Sequence, residues 1–184
     1  MLILASSSPR RKEILAKTGL EFTVFSPDVD ERLLDDSLPP SNLAKEEARL
    51  KCYAVKALYP DAEVLAADTV VVLDGKPLGK PLTEENAVKM LMEQSGKREK
   101  VLTAYHYLGR GKEIARTVVS TVVFRPFNEE EARAYVEKKK PLDKAGGYGI
   151  QDDSGLIERL EGSYYNVMGL PLEDLVRHVF PEKE

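Results

Sequence analysis

The chain opens on a short apolar run, Leu2 to Ala5, closed by Ser6-Ser7-Ser8-Pro9, which predicts a short buried strand and a turn. Ser8 suits a helix N-cap and Pro9 a helix start, so a helix is expected from Arg10 to Gly19 with Ile14 and Leu15 inward. Phe22–Phe25 reads as the next strand, and Pro27 to Pro40 as an acidic loop. A second helix follows from Ser41 or Asn42 to about Ala57. Val64–Leu73 is apolar and β-branched, a buried strand interrupted only by Asp68 and Thr69, and Asp74-Gly75 then signals a hairpin turn. Thr83 caps a helix running to about Gln94, with Glu84 and Glu85 at its positive end. Val101–Leu108 and Ile114–Phe124 form a long hairpin around Gly109–Lys112. Asn128 to Glu131 is a capping box opening a helix to about Lys138. A glycine-rich turn, GGYGIQDDSG, leads to a strand at Leu156–Leu160, and Pro171 starts a last helix with Leu172, Leu175, Val176 and Val179 on one face. Strands and helices interleave, yet the long hairpin is antiparallel, so a mixed sheet of α/β or α+β character is expected.

Composition narrows the function classes. With 184 residues and no repeat or long linker, one domain, or two tightly joined lobes, is expected. No stretch approaches the ~20 apolar residues of a membrane span, and the N-terminal apolar run precedes its basic residues, the reverse of a secretory signal. A soluble, cytoplasmic protein is expected. One cysteine, Cys52, and two histidines exclude an internal disulfide framework and speak against a Cys- or His-based metal cluster. The formal charge of −4 argues against broad nucleic-acid binding but leaves room for a small anion held by a few gathered cations.

Several positions could carry chemistry. Ser6–Lys12 places hydroxyls and free N–H groups at a helix start, and the two arginines there, Arg10 and Arg11, are either solvated or face an anion. Asp68 must end its strand, meet a cation or metal, or activate a water, since a buried unpaired carboxylate is costly. Thr69 is a ligand donor or simply a β-branched strand residue. Asp28, Asp30 and Glu31 offer hard-cation oxygens or form a solvated loop. Lys51 sits mid-helix and Lys80 in LGKPL, where surface decoration is the alternative. Gln151, after three glycines in four residues, has the donor and acceptor needed to read an amide edge, or ends an ordinary turn. Neither a Walker loop nor a nucleophile elbow is present. Cys52 and His106 read as structural.

The order of these segments is more specific than any one of them. LASSSPRRKEIL, DVDE, EEARLK, AADTVV, GKPL, SGKREKVLTA, PLDKAGGYGIQ and GSYYNVMGLPL follow one another with the spacing of the Maf family of nucleotide pyrophosphatases, which the chain resembles from Leu4 to about Leu172. The resemblance implies a single domain over residues 1–184, with two lobes around a central nucleotide cleft. It also implies an α/β fold with an elongated, curved mixed sheet and flanking helices, similar to the inosine-triphosphate pyrophosphatases. The implied reaction is hydrolysis of a nucleoside triphosphate to monophosphate and pyrophosphate with Mg²⁺ or Mn²⁺. Arg10, Thr69 and Gln151 match the subgroup acting on dTTP and UTP, whereas the 7-methyl-GTP subgroup carries a tryptophan at the first of these positions, and this chain has none.

By the same resemblance Asp68 is the general base and a metal ligand with Glu31, while Ser8, Arg11, Lys51 and Lys80 hold the substrate. The implied partners are a small nucleotide and a second copy of the chain, with neither nucleic acid nor membrane. Two segments depart from the family pattern. Its usual Ser-Gly-Arg/Gln-Thr-His reads Ser95-Gly96-Lys97-Arg98-Glu99, losing the histidine, and its glycine-containing turn after Gln151 reads Asp152-Asp153-Ser154-Gly155. The alternatives to an enzyme on pyrimidine nucleotides are a nucleotide-binding regulator of septum formation with little turnover, and a purine-directed enzyme on the related fold. Asp68 speaks against the first, and Arg10, Thr69 and Gln151 together speak against the second.

Overall fold

A computed structural model of the chain describes residues 1–29 and 37–181. Its elements are β1 (Leu2–Leu4), α1 (Pro9–Ala16), β2 (Phe22–Val24), α2 (Pro40–Leu58), β3 (Glu63–Leu73), β4 (Lys76–Leu78) and α3 (Glu84–Gln94). They continue as β5 (Arg98–Gly109), β6 (Lys112–Phe124), α4 (Glu129–Lys139), β7 (Ile157–Glu161), α5 (Tyr164–Met168) and α6 (Leu172–His178). Among the described residues the strands make one seven-stranded sheet in the order β2-β1-β3-β5-β6-β7, with β4 hydrogen-bonded to β3. β1 runs parallel to both β2 and β3, while β4 on β3 and β7 on β6 are antiparallel. The fold is therefore the expected mixed α/β arrangement with flanking helices.

The chain divides into two compact units, one of residues 1–69, 102–118 and 165–184, the other of residues 70–101 and 119–164. In the first, Ile3 and Ala5 pack with Val64 and Ala66 of β3 and with Cys52 and Val55 of α2. The fully buried stripe Ala44, Ala48, Cys52 and Val55 is the helical spacing that seats α2. In the second unit Phe124 meets both Phe127 and Tyr148 edge to face, and α3 packs on α4. The capping box of α4 is complete, since Asn128 Oδ1 accepts from Glu131 N at 2.9 Å and Glu131 Oε2 accepts from Asn128 N at 3.0 Å.

Both tight turns have two consecutive residues with positive φ, Asp74 and Gly75 at 49° and 78°, and Arg110 and Gly111 at 51° and 69°. That is the type I′ geometry which matches strand twist. Arg110 is an unusual residue there, and it is held by Glu63, whose Oε2 lies 2.9 Å from Arg110 Nε and accepts from Tyr107 Oη at 2.5 Å. Burial raises the Glu63 carboxyl pKa, but Tyr107 and Arg110 outweigh it and hold the group below its usual value.

Some boundaries differ from expectation. α1 stops at Ala16 because Lys17 and Thr18 close a turn that Gly19, with φ of 71°, completes. α2 starts at Pro40, where the missing N–H belongs to a position that would lack a partner anyway. α5 was not expected at all, since five residues are too few to show a helical period and three of them, Tyr164, Tyr165 and Val167, favour strands, with Ser163 the one start signal. Pro171 precedes the last helix as its N-cap, and that helix begins at Leu172.

Candidate active site

In the first unit the loop after β1 turns into α1 through its serines. Ser6 Oγ accepts from Ser8 N at 3.1 Å, and Ser8 Oγ accepts from Arg11 N at 3.4 Å, the expected N-cap. The two arginines behave differently. Both are half-buried as residues, but Arg11 turns its guanidinium inward and donates from Nε to Gly169 O at 2.8 Å and from Nη2 to Thr69 Oγ1 at 3.0 Å. Arg11 is thus a guanidinium braced by backbone and hydroxyl rather than a solvated surface side chain. Gly169 has φ of 118°, and a Cβ there would sit 3.5 Å from Arg11 Nε and 3.6 Å from Thr69 Oγ1.

The hydroxyls behind Arg11 have a direction. Thr103 Oγ1 donates to Asn166 O at 2.9 Å and lies 2.9 Å from Thr69 Oγ1. A hydroxyl has one proton, so Thr103 can only accept from Thr69, which in turn accepts from Arg11. α5, missed from sequence, thus supplies both ends of this arrangement through Asn166 O and the adjoining Gly169 O.

Asp68 lies in the middle of β3, which continues past it. Its Oδ1 is 3.1 Å from Lys51 Nζ, and both side chains are mostly buried, at 15 % and 17 % exposed. Of the sequence alternatives, the one observed is a carboxylate meeting a cation, and Lys51 is no surface ornament. One turn earlier on α2, Glu47 Oε2 is 4.0 Å from the same ammonium. Glu47 did not emerge from the motif reading, although its i,i+4 relation to Lys51 was legible. Burial pulls the Arg11 guanidinium below its usual value. Asp68 opposes that fall, Arg10 adds to it, and Glu47 opposes it again. Arg11, Lys51, Asp68, Thr69 and Glu47 are thus one electrostatically linked group, with Ser8 capping the helix that holds Arg11.

Lys80 and Gln151 belong to the second unit. Lys80 is exposed, on a segment fastened by Gly146 N donating to Gly79 O at 3.1 Å. Gln151 is exposed on a 3₁₀ turn, Ile150–Asp152, closed by Asp152 N donating to Gly149 O at 3.1 Å. Tyr135 Oη donates to Asp152 Oδ2 at 2.6 Å and accepts from Gly149 N at 2.9 Å. Nothing in the sequence pattern marked Tyr135, which required knowing that α4 lies under this turn. Asp30 and Glu31 lie outside the described residues. Among the described residues no group of three or more His, Cys, Asp or Glu is arranged to hold a metal, and no helix is long and apolar enough to cross a membrane.

The profile of the family described as Maf-like protein matches residues 1–180. A dTTP/UTP pyrophosphatase of Symbiobacterium thermophilum is 45 % identical over 178 residues, covering 96 % of this chain and 91 % of its own. Proteins of the same description from Thermococcus gammatolerans and Pyrococcus abyssi are 44 % and 42 % identical, covering 94 % and 96 % of this chain and 92 % and 93 % of their own. Among solved structures, a Ham1 protein of Staphylococcus aureus aligns with a TM-score of 0.46 at 15 % identity, over 84 % of this chain and 90 % of its own.

Proposed function

The chain belongs to the Maf family, and on that premise we propose that it is a nucleoside triphosphate pyrophosphatase hydrolysing dTTP and UTP to the monophosphate and pyrophosphate. The observation that carries the chemistry is Asp68, a carboxylate set into an apolar strand and held against Lys51 beside an inward-turned Arg11. A water oxygen bonds to the α-phosphorus, the bond from that phosphorus to the α–β bridging oxygen breaks with its electron pair leaving on pyrophosphate, and the water proton passes to Asp68. Arg11, Lys51, Arg10 and Lys80 offset the charge of about −4 on the triphosphate, so that positioning and electrostatics supply most of the rate. In the resting arrangement Lys51 occupies Asp68 Oδ1. A triphosphate competes for that ammonium and leaves the carboxylate open to the water. Gln151, with Arg10 and Thr69, selects the pyrimidine.

The donor chemistry of this group fits a hard divalent cation, Mg²⁺ or Mn²⁺. Asp68 and Glu47 offer two carboxylates within reach of one ammonium, and such an ion takes one or two protein carboxylates and fills its shell with water and phosphate oxygens. Glu31 is the further ligand on this reading. When bound, the ion neutralises and polarises the phosphoryl oxygens. The reading also takes the cytoplasm as the compartment and a homodimer as the assembly, which sedimentation at the monomer mass would exclude.

The test is pyrophosphate release from dTTP, UTP, CTP, GTP and 7-methyl-GTP with Mg²⁺, Mn²⁺ or EDTA. Metal-dependent release selective for dTTP and UTP is expected, and binding without release from any of them would make the protein a nucleotide sensor. Asp68→Asn should lower turnover by at least ~10²-fold while nucleotide binding persists. Equal loss of binding would assign Asp68 to structure or to the metal alone.

A further inference from the structure

The turn bearing Gln151 is held by a contact that does not involve Gln151 itself. We propose that Tyr135 and Asp152 form a latch that sets the position of Gln151, and thereby determine nucleotide selectivity without touching the nucleotide. The proposal rests on the reading of Gln151 as the base-selecting side chain.

Three observations support it. Tyr135 grips the turn at two points with one oxygen, donating to Asp152 Oδ2 at 2.6 Å and accepting from Gly149 N at 2.9 Å, and these two residues flank Ile150 and Gln151. The grip comes from a rigid element. Tyr135 is 5 % exposed on α4, between buried Ala132 and Val136, so its ring has no freedom to follow a moving turn. The turn is also closed on itself. Gly149 has ordinary backbone angles, yet a Cβ there would lie 2.8 Å from Asp152 Oδ2, 3.2 Å from Asp152 Cγ and 3.2 Å from Gln151 Nε2. Any side chain at 149 must therefore displace the carboxylate that Tyr135 holds. Burial, then Asp152, raise the Tyr135 phenol pKa far above its usual value, so it remains the donor at neutral pH.

The experiment compares kcat/KM for UTP with that for CTP in the full chain and in Tyr135→Phe, Asp152→Ala, Asp152→Asn, Gln151→Ala and the double variant Tyr135→Phe/Gln151→Ala. Loss of one or two hydrogen bonds on the turn should reduce the UTP/CTP ratio about 5- to 10-fold in Tyr135→Phe and Asp152→Ala. Asp152→Asn keeps an oxygen for the phenol and should restore most of the ratio. In the Gln151→Ala background Tyr135→Phe should change the ratio no further, because its effect acts through that side chain. An unchanged ratio in Tyr135→Phe and Asp152→Ala, with Gln151→Ala still lowering it, overturns the latch alone. An unchanged ratio in Gln151→Ala overturns the base-reading role on which the latch depends. Should Tyr135→Phe fail to fold, the half-exposed Asp152 variants decide the question by themselves.

Discussion

Glu99 offers the sharpest test of the energetics. It is 1 % exposed on β5, and among the described residues neither of its carboxylate oxygens has a hydrogen-bond partner of ordinary geometry. Burial pushes its carboxyl up from 4.5 to about 8, with the facing Tyr148 hydroxyl offsetting only part of the rise. At neutral pH the folded chain therefore keeps a proton that the unfolded chain has lost. The stability from this neutral carboxyl is complete below about pH 4.5 and declines as pH rises, by about 1.4 kcal/mol per pH unit, until it levels off above about pH 8. Between pH 5 and pH 8 the loss is on the order of 4 kcal/mol, a large share of a typical folding free energy. Glu99→Gln removes the titration but keeps the shape, with the Tyr148 hydroxyl still facing position 99. Urea unfolding of both proteins from pH 5 to pH 8 should show the variant gaining on the wild type throughout the range. A stability difference that is constant with pH would refute the reasoning.

Other outcomes follow from contacts already described. Lys51→Met removes a charged partner of Asp68 and, on the proposed reading, of the triphosphate, so kcat/KM for UTP should fall about 10- to 100-fold in steady-state assays, and an unchanged value would reduce Lys51 to a helix-packing residue. Thr69→Val leaves Arg11 Nη2 and Thr103 each short of a partner while Thr69→Ser preserves both, so in UTP turnover and urea unfolding the serine variant should resemble the wild type and the valine variant should not. Asn128→Ala breaks the capping box of α4 and should cost about 1 kcal/mol in urea unfolding.

How much of this was legible in sequence depended on range. Asp68 stood out because a charge in an apolar strand demands an explanation, and Lys51 could be placed on its helix. Their pairing could not be read, since it depends on how α2 lies along β3, 17 residues away. Arg11 was flagged as a cation at an unfavourable helix end, but its acceptor, Gly169 O, is 158 residues distant. The Asn128 box and the Asp74-Gly75 turn were local and were read directly, whereas Arg110 in a type I′ turn needed Glu63 from another strand. Asp152 was visible as a carboxylate beside Gln151. Its use became clear only once α4 supplied Tyr135.

On the proposed reading of Thr69 as a base-selecting residue, the one-way run of hydroxyl protons from Thr69 to Thr103 to Asn166 O would act as a polarity filter. With its proton committed inward and one lone pair given to Arg11, Thr69 has only a lone pair left for a visitor. An oxygen brought to it, from a phosphate or a carbonyl, meets lone pair against lone pair and is turned away. A group that brings its own proton is accepted. The ring imide of uracil or thymine carries an N–H where cytosine carries a bare nitrogen, so the same threonine that braces Arg11 would favour the first pair of bases wherever that edge reaches it. Comparison of UTP with CTP in Thr69→Ser, which keeps the filter, and Thr69→Val, which abolishes it, reads this preference directly.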